Sequence, residues 1–131
     1  MSALRTASVI FCTFLLFSCG HSLPELPGFA AETWRRDPYA CKNERAGQLK
    51  ALLQHRELLY GTRADDIDAL FGRPDEEELS EQTEKIYLYY LEPGLQCDPG
   101  HQRSAANKLI LRFGPLGTVT EVLYERPPKG L

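Results

Sequence analysis

Apolar positions recur along this chain at two different periods, and the change of period divides it. Before residue 72 the spacing is helical. Leu49, Leu52, Leu53 and Arg56 fall on one face, which Leu59 and Tyr60 extend. Asp37-Pro38 supplies an N-cap followed by proline at the first helical position, so a helix is predicted from about 38 to 59, weakened at Gly47 and with Asn43 as a later start. Gly61 ends it. A second, shorter helix is predicted from near Arg63 to Phe71, where Thr62 and Asp65 have the spacing of a capping box. Ile67, Leu70 and Phe71 share its apolar face, Asp65, Asp66 and Asp68 crowd its first turns, and Gly72 and Pro74 stop it.

From residue 85 the spacing becomes that of strands. Lys85 to Leu91 is aromatic and branched and ends at Pro93-Gly94. Lys108 to Phe113 places Leu109, Leu111 and Phe113 on one side, and Gly114-Pro115-Leu116-Gly117 turns the chain into a third strand, Thr118 to Glu125. Short strands are not stable as a bare sheet. The expected fold is therefore α+β, a two-layer sandwich of two helices on a three-stranded antiparallel sheet in the order ααβββ. Asp75 to Glu78, with Glu81 and Glu84, reads as a solvated acidic link, since a calcium loop lacks its ligand spacing and central glycine.

The first predicted strand is apolar on both sides, Ile86, Leu88 and Tyr90 against Tyr87, Tyr89 and Leu91. The helices cover one side only. The other needs Phe29 and Trp34 from the N-terminal segment, or a partner, so Tyr87, Tyr89, Leu91 and Trp34 form a candidate interaction surface.

The start of the chain changes the picture. Arg5 precedes an apolar run, residues 7–17, too short for the roughly 20 residues of a membrane span, so residues 1–18 read as a signal peptide. Leu16-Phe17-Ser18-Cys19-Gly20 resembles the bacterial lipobox, which implies acylation of Cys19 and a tethered, non-spanning chain. Ordinary cleavage after Gly20 is the competing reading and would leave a secreted or periplasmic protein. Residues 19–36 then form a tether and docking segment, 37–126 the domain and 127–131 a tail.

Loss of residues 1–18 removes Arg5 alone, taking the formal charge from −3 to −4. With Arg35-Arg36 the only adjacent basic pair, no nucleic-acid partner is expected. Of four cysteines, Cys12 leaves with the leader and Cys19 takes lipid, so Cys41 and Cys97 are expected to pair. Two free thiols, or a metal held by Cys41, Cys97, His101 and His55, are the alternatives. Cys97 lies in a sixteen-residue connection, Glu92 to Asn107, which is long for a hairpin. No G-x-S-x-G, H-E-x-x-H or phosphate loop occurs, so no catalytic residues, cofactor or metal are assigned.

Gly61-Thr62, Ile67, Leu70, Gly72 and Pro74, then Tyr87 to Tyr90, then Leu109 to Val122 resemble the helix, aromatic strand and closing hairpin of the SmpA/OmlA lipoproteins, the BamE-like family of the outer-membrane barrel-assembly machinery. The resemblance covers about residues 61 to 125. It implies an ααβββ fold and a lipid-anchored, non-catalytic protein at the periplasmic face of the outer membrane, with an unidentified envelope protein as partner. The acidic run, the cysteine-bearing loop and the N-terminal extension bring the chain closer to other lipoproteins of that fold than to the assembly subunit. A similar unit is repeated in secreted β-lactamase inhibitor proteins, which makes a binding or inhibitor module the alternative.

Overall fold

A computed structural model describes residues 22–126. Cys19 and the tail after Arg126 lie outside the described residues. The class is α+β. Helices α1 (Ala31–Arg35), α2 (Leu49–Gln54) and α3 (Ala64–Phe71) precede four strands, β1 (Glu76–Leu79), β2 (Lys85–Tyr90), β3 (Lys108–Phe113) and β4 (Val119–Tyr124). The strands are antiparallel throughout, in the order β1-β2-β3-β4.

The sheet thus has four strands, where three are predicted. Glu76 to Leu79 pairs with Leu88 to Lys85, so the acidic run forms an edge strand in place of a solvated link. Charge on an edge is a common device against pairing with other chains, and it hid this strand in the sequence.

The helix expected over 38–59 is broken into α2 and 3-10 turns at Pro38–Ala40, Ala46–Gln48 and Arg56–Leu59. Two causes are visible. Tyr39, Ala40 and Asn43 hold positive φ, at 60°, 57° and 58°, which no right-handed helix accommodates. The buried Asp37 carboxylate then accepts hydrogen bonds from the N–H groups of Lys42, Glu44 and Arg45, drawing those amides out of any helical ladder.

The capping box of Thr62 and Asp65 does not form. Helix α3 starts one residue later, with extended Arg63 at the N-cap and no side-chain cap bond. Strand β4 is the reason. Gly61 N–H donates to Val119 O and Val119 N–H to Thr62 O, both at 2.9 Å, while Thr62 N–H is taken by Leu59 O. Thr62 is thereby fixed as a short extension of the sheet, and Asp65 has no free Thr62 amide to reach. The other end behaves as expected, with Gly72 at φ 79° donating its N–H to Asp68 O.

One hydrophobic core lies between the helices and the sheet. Ile67, Leu70 and Phe71 of α3, Leu49 and Leu52 of α2 and Trp34 of α1 pack on Tyr87, Tyr89, Leu109, Leu111, Phe113 and Val122. The domain therefore begins before residue 37, because Leu26 and Trp34 are core residues.

Candidate functional site

Three regions of the fold hold the candidate residues, beginning with the aromatic residues of β2. Tyr87, Tyr89 and Leu91 all point toward the helices and are buried there with Trp34. Trp34 meets Phe71 edge-on at 5.5 Å and Tyr89 at 6.1 Å, and Phe29 lies 5.6 Å from Trp34 and 5.2 Å from Phe71. Aromatic pairs favour these offsets and tilts. Tyr89 also donates its hydroxyl proton to Gly72 O at 2.8 Å, and burial raises its phenol far above the usual range. These four residues are consequently core and not an interaction surface. Phe29 and Trp34 do cover β2, but on the same side as the helices.

A corner built from residues 37–45 and the 92–107 connection forms the second region. Cys41 and Cys97 are joined in a disulfide with Cα atoms 5.6 Å apart. Buried Gln96 reinforces the join, donating from Nε2 to Tyr39 O and Glu92 O at 3.0 and 2.7 Å and accepting from the Ser104 hydroxyl. The His101 ring stacks on Tyr39 at 4.1 Å between centroids, 8° from parallel, with Nδ1 2.9 Å from Gln96 O. Tyr39, Ala40 and His101 all occupy positive φ. Non-glycine residues persist there only when their surroundings over-determine them, and here the disulfide, Gln96 and the ring stack do so together.

Beneath this corner lies a buried ion pair. The Arg45 guanidinium donates to Asp75 Oδ2 at 2.5 Å, with side chains only 2% and 3% exposed. Arg45 also donates to Trp34 O and Tyr90 O, both at 3.2 Å, and its guanidinium carbon sits 4.9 Å from the Trp34 ring centroid. Asp75 in turn accepts from Tyr39 N–H and Tyr90 N–H at 2.9 and 2.8 Å. Buried charges are tolerated when partners satisfy them on several sides. One pair thus ties α1, the 37–45 turn, the approach to β1 and the end of β2. Neither residue stands out in the sequence: Asp75 opens an acidic run, and Arg45 sits where a helix is expected.

The third region is the sheet face turned away from the helices. A groove of about 300 Å³ there has a floor of Ile86, Leu88, Ile110 and Leu123. Its rim carries charges, with Arg103 paired to Glu76 at 3.0 Å and to Glu78, Arg112 near Glu121 and Lys108 near Glu125. Tyr90, at the end of this face, is roofed by the disulfide-bearing connection. Its hydroxyl donates to Glu76 and accepts from Ser104 N–H, and burial with the Glu76 bond pushes its phenol up to about 12.

Among the described residues no group of three or more His, Cys, Asp or Glu is arranged to hold a metal ion. Among the described residues His55 lies near Glu57, at 3.9 Å, and His101 stacks on Tyr39. No described helix is long and apolar enough to cross a membrane.

What fold and corner define together is an α+β domain clipped by one disulfide. Comparison of the chain with models of known protein families, with curated proteins and with solved structures finds no match.

Proposed function

We propose that this chain is a non-catalytic lipoprotein, tethered through Cys19 at the periplasmic face of the bacterial outer membrane, whose domain serves as an interaction or scaffold module in the envelope, in line with its SmpA/OmlA-like resemblance. The Cys41–Cys97 bond carries the reading. Disulfides persist in oxidising compartments. This one also uses both cysteines of the domain, which leaves Cys19, placed directly after a short apolar run, for the lipid.

With Tyr87, Tyr89, Leu91 and Trp34 committed to the core, the partner contact belongs on the opposite sheet face. Leu123 is 43% exposed there beside Arg112 and Glu121, an apolar centre within a charged rim of the kind that protein interfaces use. The test is cross-linking in intact cells followed by purification of the protein. An envelope complex that survives Leu116→Glu, in the β3–β4 turn, and is lost with Leu123→Glu supports the reading. Recovery of one soluble enzyme with that same dependence moves the assignment to an inhibitor module.

A further inference from the structure

We propose that the domain's N-terminal face lies directly on the bilayer, with Leu23 at the boundary between headgroups and acyl chains; this rests on the lipid tether proposed above. A groove of about 810 Å³ runs between residues 22–27 and the last turn of α3, lined by Leu23, Pro24, Pro27, Phe29, Arg35 and Leu70. Leu23 is 38% exposed at its edge.

The strap that forms one wall is fixed to the domain. Leu26 is buried in the core, Phe29 N–H donates to Leu26 O across a turn with Gly28 at φ 77°, and Ala30 exchanges two hydrogen bonds with the Gln48 amide at 2.7 and 3.2 Å. Ser22 lines the same groove, four residues before the buried Leu26. Only three peptide units separate Ser22 from Cys19, a span of at most about 11 Å when fully extended.

The headgroup layer on each side of a bilayer is roughly 5–8 Å thick. An acylated Cys19 has its sulfur and amine at that layer, so so short a lead holds the groove against it and excludes a domain floating free. A mainly apolar wall that carries Arg35 and Glu25 suits the location, because apolar side chains enter the acyl boundary while the charged groups stay at the headgroups. Arg35 supplies the cation and is itself anchored, donating to Ala69 O and Leu70 O at 3.2 and 3.0 Å. The β3–β4 turn is at the other end of α3, beside Ala64, and its Leu116 is 89% exposed, so it provides the contrast.

The experiment uses full-length protein extracted from membranes and reconstituted in phosphatidylethanolamine–phosphatidylglycerol vesicles. Leu23→Cys and Leu116→Cys variants are labelled with a fluorophore, the Cys41–Cys97 pair being closed to the reagent and the Cys19 sulfur carrying lipid. Intact mass of each sample establishes the lipid first. Lipids bearing a quencher near the carbonyl should reduce emission at residue 23 at least about threefold more than at residue 116. Equal or absent quenching in a sample whose mass shows the lipid overturns the proposal, and protection of residue 23 from aqueous quencher without lipid quenching assigns the groove to another occupant, the anchor's own acyl chain or a protein. A mass without lipid fails the tether itself, and this proposal with it.

Discussion

The two sides of β2 are both buried, yet by opposite means. Toward the helices, Tyr87, Tyr89 and Leu91 meet Trp34, Phe71 and the other apolar residues of the core. Away from them, Ile86 and Leu88 are shielded by the side chains around them, among which Glu76, Glu78, Arg103 and Arg112 line the groove, and Tyr90 lies under the disulfide-bearing connection. Strand alternation sorts residues to two faces but does not say which face meets water. On this strand the decision is made by distant elements.

Replacing Trp34 by alanine removes the residue that joins α1, α3 and β2, and a loss of about 3–5 kcal/mol is expected in urea denaturation. A loss below the cost of an exposed substitution would show that the helix side is not the main core. Arg45→Met should cost a similar 3–5 kcal/mol by leaving Asp75 buried without its cation. The double variant Arg45→Met/Asp75→Leu should recover part of it, whereas an additive loss would show that the two residues act separately.

Opening the disulfide with Cys41→Ser/Cys97→Ser, a separation of 56 residues, should cost about 4 kcal/mol in the loop-entropy account. Hydrogen exchange locates the effect. Protection should fall in residues 92–107 and at Tyr90 before it falls at Tyr87 and Tyr89, and uniform loss across the sheet would erase the distinction between its two sides. On the charged rim, Arg103→Ala should change stability by only about 0–1 kcal/mol, and by less at high salt.

The smallest effect concerns pH. Burial raises the Asp68 carboxyl above its usual value, against the opposing pull of Tyr87 and Lys85, and its Oδ1 is buried with no hydrogen-bond partner. Because the folded value is the higher one, this group favours the fold while protonated, and that contribution is lost as pH rises through the raised value. Asp68→Asn removes that loss, so the variant's stability relative to the wild type should rise with pH across the carboxylate range. A variant whose stability relative to the wild type falls as pH rises would reverse the sign assigned to Asp68.

Local signals in the sequence carried far where one element decided the outcome. The apolar face of α3, its stop at Gly72, the spans of β2, β3 and β4, and the pairing of Cys41 with Cys97 are all legible. What escaped depends on contacts between remote segments. Thr62 has the chemistry of a cap, yet β4 takes its carbonyl. Glu76 to Leu79 resembles a polar link until β2 offers it an edge, and Asp75 is one acid among several until Arg45 arrives from thirty residues away. Of the candidate interaction surface, Tyr87, Tyr89 and Leu91 come from one stretch of chain and only Trp34 from outside it. Nothing within that stretch distinguishes a side covered by Trp34 from one covered by charged side chains.

Intact mass of the protein taken from membranes, alkylated before or after reduction, tests the proposed anchor at Cys19 and the Cys41–Cys97 bond at once. A mass beginning at Cys19 with diacylglyceryl and acyl groups added, and two thiols exposed only by reduction, is the expected result. A lipid-free mass beginning at His21 would contradict the anchor and leave a soluble, disulfide-clipped binding domain.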